Sequence, residues 1–439
     1  MSDSASGQKR ELIRGIGFFG SSFLVLNGMI GAGIFALPSA VAAQAGVLSP
    51  WLFLAVGLLI ITVVLTFAEL SSYFRISGGP VLYATRAFGP LAGFSTGWIY
   101  YVSRAAAVAA NSNAMAVYLA TMWPWFGADP GRGVVILVVC AGLTLVNLLG
   151  VKDGVRTLAV FTFLKVIPLL IMIVLGLQYV SPDILFPDNI PTIDDLGGTM
   201  LLLIYAFVGF ETVLIAAGET AKPKVTIPKA LILTMIATGL LYFLIVLVYV
   251  AVLGGEVNAD ATLVDVGRKL AGPIGAIAIT LAAIFSIGGN LSSTMLAVPR
   301  ATFSLAEHRL LPPWFGRIHQ RFSTPANSVI FLGGISAALA LSGSFVGLAI
   351  ASALTRMITY IVCIAALPVI KGKADHATIA KAFKIPGGYT IPFVAFVLCL
   401  WLASNSSAES WRLVGILLIA GLALYWAEQW RIKKQHAAR

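Results

Sequence analysis

The sequence predicts an all-α membrane protein with twelve transmembrane helices, and its composition and hydropathy are the observations that predict it. Of the 439 residues, 59% are hydrophobic and 11% are charged, whereas a soluble domain carries roughly 25% charged residues. The mean hydropathy is +0.94. Twelve apolar runs follow one another, and most reach the ~20 residues with which a helix crosses a bilayer. The runs lie at 15–43, 49–74, 90–122, 133–150, 157–180, 196–218, 229–253, 273–299, 326–343, 346–370, 390–405 and 410–427.

Basic residues follow every second apolar run, and this placement predicts on which side of the membrane each loop lies. They precede the first run and follow the second, fourth, sixth, eighth, tenth and twelfth, so that 22 of the 29 Lys and Arg residues lie on one side. Cytoplasmic loops carry such an excess of positive charge. Both termini are therefore predicted to be cytoplasmic, and residues 1–14 form a tail without the features of a signal peptide. The acidic segment 181–195 faces outward, and the net charge of +11 reflects topology rather than a nucleic-acid partner.

The residues that usually carry chemistry are sparse at membrane depth, which narrows the function. The three cysteines lie far apart in apolar runs and are predicted to be buried and unpaired, and the four histidines lie in cytoplasmic segments. No paired carboxylates, nucleophile–base set or metal cluster is found at membrane depth, and the sequence contains no phosphate-binding GxxxxGK[ST] motif. We therefore expect neither an enzyme nor an ATP-driven pump, and no metal or cofactor. The function that remains is passage of a small molecule across the membrane, driven by a gradient.

Glycines interrupt the first and sixth runs at matching positions. The first run contains "NGMIGAGIFALP" (27–38), and the sixth contains "LLLIYAFVGFETVLIAAGETAKP" (201–223), with Gly209 near its middle. Close packing of helices is one explanation for such glycines. Glycine-interrupted segments at equivalent positions in two halves indicate broken helices around a binding site at the midplane. Unwound backbone there exposes N–H and C=O groups that suit a zwitterion such as an amino acid.

Four stretches of the sequence resemble the amino acid–polyamine–organocation (APC) superfamily of transporters. They are "GMIGAGIFALP" (28–38), "AELSSYFRISGGPVLYATRAFGPLAGFSTGW" (68–98), "YAFVGFETVLIAAGETAKPKVTIPKAL" (205–231) and "LAEHRLLPPWFGRIHQRFSTPANSV" (305–329). The resemblance implies a LeuT-like fold of two inverted five-helix repeats, alternating access, and an amino acid or related amine as substrate. It divides the chain into repeats at 15–180 and 196–370, two further helices within 390–430 and a cytoplasmic tail at 431–439. It also implies a bacterial inner membrane as the location.

The resemblance also implies a substrate site by matched position. Backbone of residues 30–33 would receive the substrate's carboxylate, and carbonyls near Met29, together with Phe207, Val208 and Phe210, its amino group. Tyr205 matches an aromatic gate, although ordinary packing is an alternative. At the position of Glu211, polyamine and arginine antiporters use a glutamate whose protonation gates transport. The matched positions are Met29, Ile30, Gly31, Ala32 and Gly33 in the first helix and Tyr205, Phe207, Val208, Phe210 and Glu211 in the sixth.

A lysine within the fifth run is the predicted proton site. Lys165 lies nine residues beyond Arg156, hence ~13–14 Å from the cytoplasmic edge, too deep for its side chain to snorkel. An ionisable residue at that depth is by default a functional candidate, since it can take up and release a proton. Lys165 also matches the lysine that replaces a sodium ion in some members of the superfamily. The resemblance places it near the first-helix break and the hydroxyls of Ser292 and Ser293. Tethering of the broken helix is the alternative role.

Of the three arginines within apolar runs, Arg104 and Arg356 lie far from the ends of their runs, whereas Arg412 lies near an end. Arg104 falls on a position of the third helix that lines the substrate cavity in this fold, and such a buried guanidinium needs a polar partner. We expect an ion pair with Glu211, with an acidic group on the substrate as the alternative. Arg356 is predicted to brace the tenth helix.

The sequence therefore predicts a transporter that imports a neutral amino acid by proton symport, with protons and the lipid bilayer as its other partners. An obligate exchanger of the same fold is the first alternative. A channel, or a membrane sensor that binds its ligand without moving it, is the second. The sequence makes no prediction of oligomeric state.

Overall fold

The computed structural model describes residues 15–149, 155–186, 195–258, 260–322 and 324–437. Within these ranges the chain is helical, apart from short connections and an isolated β-bridge between Ile16 and Thr220, which confirms the all-α class. The predicted tail at 1–14, Lys152 and residues 187–194 of the acidic segment lie outside the described residues.

The part of the chain up to residue 186 forms one long central helix and shorter helices around it. Its helices are α1 (Phe18–Met29), α2 (Gly33–Ala45), α3 (Ser49–Ser72), α4 (Gly79–Phe88), α5 (Pro90–Ala120), α6 (Gly131–Leu149), α7 (Val155–Gly176) and α8 (Pro182–Leu185).

The part that follows residue 194 again begins with a short helix that breaks. Its helices are α9 (Leu196–Phe207), α10 (Thr212–Ile215), α11 (Pro223–Leu253), α12 (Leu263–Glu307), α13 (Ala326–Ser342), α14 (Phe345–Lys373), α15 (His376–Lys381), α16 (Thr390–Ser404) and α17 (Ala408–Ala437).

Seven helical segments of the described chain are long and apolar enough to cross a membrane, and α1, α9, α13 and α16 are shorter apolar helices. Large apolar side chains point away from the bundle, such as Ile274 at 79% exposure and Val174 at 72%, as a helix bundle surrounded by lipid requires. The number of twelve spans remains a prediction. The seven segments are Gly33–Ser72, Gly131–Leu149, Ala159–Tyr179, Pro223–Leu253, Leu263–Glu307, Phe345–Lys373 and Ala408–Gln435.

Helix α5 occupies the centre of the bundle. Every residue from 96 to 116 is buried, which is the pattern of a helix covered on all sides. It packs along α14, α12 and α4, while α3 packs along α11 and α7 along α12. Because polar side chains on α5 point into the protein rather than into lipid, this helix can carry Arg104, Asn111 and Asn113 at membrane depth.

Helices α12 and α17 extend furthest beyond their predicted apolar runs. Helix α12 begins at Leu263, ten residues before the predicted run, and bends at Ala271 and Gly272, where φ of Gly272 is +59°. A capping box formed by Thr262 and Asp265 starts it. Helix α17 continues to Ala437 past its apolar run. Both additions contain several charged residues, so a search for apolar runs alone does not detect them.

The three cysteines behave as the sequence predicts. Cys140, Cys363 and Cys399 are buried and free. They pack as small apolar side chains inside the bundle.

Candidate functional site

The first and sixth predicted helices are both broken, and the two breaks touch. Helix α1 ends at Met29 and α2 begins at Gly33, while α9 ends at Phe207 and α10 begins at Thr212, which confirms the predicted interruptions. A Cβ atom on Gly28 would overlap the carbonyl oxygen of Gly209, and one on Gly209 would overlap that of Gly28. Gly209 also has φ of +111°, which side-chain-bearing residues rarely adopt. The glycines therefore allow the two unwound backbones to lie against each other.

The carbonyl oxygens of the first break are held by side chains from neighbouring helices. Asn290 of α12 donates to the carbonyls of Asn27 and Gly28 at 3.1 and 3.0 Å, and its own oxygen accepts from Asn111 at 2.9 Å. Tyr242 donates to the carbonyl of Met29 at 3.3 Å. These bonds satisfy carbonyls that the broken helix leaves open, as buried backbone requires.

Lys165 reaches the same break from α7. It is fully buried, and its Nζ donates to the carbonyl of Ile30 at 2.6 Å and to Oδ1 of Asn27 at 3.0 Å. Ser286 of α12 donates to the carbonyls of Ile30 and Gly31 at 3.0 and 3.1 Å. A cation at the carboxyl end of α1 is also favoured by the helix dipole. The lysine thus lies at the break, where the resemblance places it.

Ser292 and Ser293, which the resemblance places beside Lys165, occupy different positions relative to the first break. Ser293 accepts a bond from Asn27, the partner of Lys165, at 3.4 Å and donates to the carbonyl of Asn290 at 2.9 Å. Ser292 lines an apolar cavity of about 380 Å³ between α5, α6, α7 and α12. The coupling role of Ser292 and Ser293 remains a prediction, and Ser286 is the serine of α12 that donates to the unwound segment of the first break.

Replacing Ser286 by Ala should impair transport more than replacing Ser292 by Ala. The first change removes the hydroxyl whose single O–H is shared between the carbonyls of Ile30 and Gly31, and a lost hydrogen bond costs about 0.5–1.5 kcal/mol. Transport rates and thermal unfolding in detergent, measured for the two variants side by side, check the expectation. If Ser292→Ala impaired transport more than Ser286→Ala, the result would instead support a role of Ser292 in proton coupling.

The backbone groups that remain open are amides on one side and carbonyls on the other. Among the described residues, the amides of 32–34 at the start of α2 and the carbonyls of 205–207 at the end of α9 have no backbone or side-chain partner. The two ends are adjacent, because a Cβ atom on Gly33 would contact the backbone of Ala206. The start of one helix favours an anion and the end of the other a cation. Together they suit the carboxylate and ammonium of an amino acid.

The other matched residues surround this pair of helix ends. Tyr205 is buried, donates to Asn111 at 2.8 Å and lies edge-on to the ring of Phe345 at 5.8 Å. Val208 is buried within the second break. The ring of Phe210 packs between those of Phe67 and Tyr360.

Glu211 forms an ion pair with Arg356 of α14, and both side chains are fully buried. Its Oε2 also accepts from Tyr360 at 3.2 Å and from the amide of Gly209 at 3.1 Å. The pair therefore fixes the second break to α14, as a brace on the tenth helix would.

Arg356 has further partners on α5. Its Nε donates to the hydroxyl of Ser103 at 2.7 Å, and its guanidinium lies 4.7 Å from the centre of the Tyr100 ring. The predicted ion pair between Arg104 and Glu211 is therefore wrong. Because α14 packs against α9, which ends at the second break, Arg356 rather than Arg104 reaches the carboxylate.

Arg104 instead donates from Nη2 to the hydroxyl of Thr294 on α12. It is 4% exposed, and its Nε has no hydrogen-bond partner. A guanidinium can only donate and stays charged, and no carboxylate in the described part of the chain forms an ion pair with Arg104.

Sequence reasoning missed the side chains that hold the first break. Asn27, Tyr242, Ser286 and Asn290 contact its carbonyls or Lys165. The two asparagines had a signal, since amide side chains within apolar runs usually bond to a neighbouring helix. The tyrosine and the serine do not stand out, because both residue types are common in such runs.

Comparison with known proteins agrees with this arrangement. A family model described as amino acid permease matches residues 16–424. The chain is 25% identical to a methylthioribose transporter of Bacillus subtilis, over 96% of this chain and 95% of that protein. It is 25% identical to the branched-chain amino acid permease BcaP of the same organism, over 96% and 94%. It is 26% identical to the serine/threonine exchanger SteT, again of Bacillus subtilis, over 95% and 96%.

The family match runs through both helix breaks and nearly the whole helical bundle. With seven apolar segments able to span a bilayer, it indicates a multi-pass membrane protein, and the resemblance to the APC superfamily is confirmed. The chain belongs to the amino acid permease family.

Proposed function

We propose that the protein is a secondary active transporter that imports an amino acid by proton symport with alternating access. The observation that carries the proposal is the position of Lys165, a buried amine bonded to the break that offers its free amides to a substrate. The amino acid binds with its carboxylate at the start of α2 and its ammonium at the end of α9. No catalytic step is part of this function.

The proposal includes twelve spans in a bacterial inner membrane, with both termini in the cytoplasm. Helices α1 with α2 and α9 with α10 each count as one broken span, and the others are α3, α5, α6, α7, α11, α12, α13, α14, α16 and α17. Residues 15–180 and 196–370 are the two inverted repeats. The facing contact of Gly28 and Gly209, each in the first span of its repeat, supports this division.

Coupling arises because the bonds of Lys165 depend on its proton. A protonated amine can donate to both Ile30 and Asn27 and places a positive charge at the carboxyl end of α1. Loss of the proton removes that charge and weakens the hold on the break. Since the amides of 32–34 lie on the same unwound segment, substrate binding and proton binding act on one element, as linked binding requires.

An obligate exchanger is the second candidate, since the relative SteT is named as an exchanger. The two functions differ in what must be present inside a vesicle. A symporter fills an empty vesicle against a gradient, whereas an exchanger needs an internal substrate.

The deciding experiment measures uptake of a panel of labelled amino acids into proteoliposomes without internal amino acid. An inward proton gradient and then a sodium gradient are imposed on the wild type, Lys165→Ala and, as a control, Lys433→Ala, whose side chain is exposed on α17. We expect accumulation to follow the proton gradient in the wild type and the control. Accumulation should fall to the level of protein-free vesicles in Lys165→Ala. Uptake that needs internal preloading and is equal in all three proteins would establish exchange and reduce Lys165 to a structural role.

A further inference from the structure

Positive charge exceeds negative charge around the two helix breaks. The charged side chains buried there in the described chain are Lys165, Arg104, Arg356 and Glu211. Glu211 is bound by Arg356, and Lys165 donates to neutral oxygens. The carboxylate of Glu69 is bound by Lys371, toward the end of α14. No buried carboxylate of the described residues is left for Arg104.

The surroundings of Arg104 make this charge costly. Its Nη2 donates to the neutral hydroxyl of Thr294, and its Nε has no hydrogen-bond partner among the described residues. A buried charge without a counterion destabilises a protein unless something neutralises it, and a guanidinium cannot lose its proton. The site is therefore ready to receive an anionic group.

Arg104 lies one helical turn, or ~5.4 Å, from residues that frame the substrate site. On α5, the next turn carries Ala107, whose carbonyl accepts from Tyr205 at 3.3 Å. On α12, Thr294 follows by one turn Asn290, which holds the first break. A substrate whose carboxylate rests on the amides of 32–34 would thus extend its side chain toward the guanidinium.

We infer that the substrate is an acidic amino acid, whose side-chain carboxylate binds Arg104 while its α-carboxylate binds the amides of residues 32–34. The inference rests on the proposed function and replaces the expectation of a neutral substrate. Arg104 is then the residue that selects the side chain. A guanidinium and a carboxylate form charge-assisted, paired hydrogen bonds, and the uncharged amide of asparagine or glutamine cannot supply the missing negative charge.

The test is direct binding of L-glutamate and L-aspartate, against L-glutamine and L-asparagine, to the purified full-length protein in lipid nanodiscs. The amides match the acids in shape and differ in charge. We expect the wild type to prefer the acids by roughly 30-fold or more, the ratio that corresponds to the loss of one partner from a buried charge pair. Arg104→Gln should remove the preference, and Arg104→Lys should keep part of it. Arg412→Gln, which changes an exposed arginine on α17, should behave as the wild type.

Thermal unfolding of each variant distinguishes a loss of binding from a loss of fold. If Arg104→Gln does not fold, the comparison of acids with amides in the wild type still tests the inference. Equal affinity for acids and amides in the wild type, or an unchanged preference in a folded Arg104→Gln, overturns the inference. Neutral binding that requires chloride also overturns it, because chloride would then be the anion at Arg104. If proton-driven uptake is seen for neutral amino acids and not for acidic ones, this inference is wrong and the proposed function stands. If no amino acid is taken up at all, both are wrong.

Discussion

Replacing Arg356 by Ala is expected to destabilise the folded protein by about 3–5 kcal/mol, the cost of leaving one member of a buried ion pair without its partner. Glu211 would keep only the bonds from Tyr360 and the amide of Gly209. Transport should be lost as well, because the carboxylate lies at the second break. Apparent stability in detergent, from thermal or denaturant unfolding, and uptake into proteoliposomes measure the two effects.

The double variant Arg356→Met with Glu211→Gln separates stability from function. Removing both charges together costs little, since a buried ion pair is often no more stable than neutral residues of similar volume. We expect stability near that of the wild type and no transport. Arg268→Ala, which removes an exposed pair with Asp265 on α12, is the control and should change neither property. Recovery of transport in the double variant would show that the ion pair only holds the fold.

Replacing Gly209 by Ala is expected to abolish transport and to lower stability. A residue with a side chain at such a positive φ costs about 1–3 kcal/mol, and its Cβ would meet the carbonyl oxygen of Gly28. Gly28→Ala should have a similar effect from the opposite side of the contact. The two backbones would have to separate, which displaces the amides and carbonyls that face the substrate. Substrate binding and thermal unfolding in detergent measure both losses.

A helical glycine with free space around it provides the matched control. Gly239 lies in α11, and a Cβ atom added there meets nothing within 4 Å. Gly239→Ala should therefore keep transport, and the helix gains up to ~1 kcal/mol in intrinsic preference. If Gly209→Ala transports as well as Gly239→Ala, the close contact of the two breaks is not needed for function.

The sequence alone determined the fold class and the location of the breaks. Its apolar runs predicted most helices, because a chain in lipid must satisfy its backbone within continuous helices of sufficient length. The glycines around residues 28–33 and at Gly209 indicated the two interruptions, since they lie at matching positions of the first and sixth apolar runs. The deep position of Lys165 also followed from its place in the run, because the rise per residue of a helix is fixed.

Only the tertiary structure decided which buried charges meet. The resemblance to the superfamily placed Arg104 and Glu211 near the same cavity, but the packing of α5, α12 and α14 pairs Glu211 with Arg356 and leaves Arg104 bonded to Thr294. The same packing brought Asn290, Ser286 and Tyr242 to the carbonyls of the first break. These partners lie more than 140 residues apart in the chain and share no local pattern. Their contacts depend on how helices pack side by side, which hydropathy, being a property of each segment alone, does not encode.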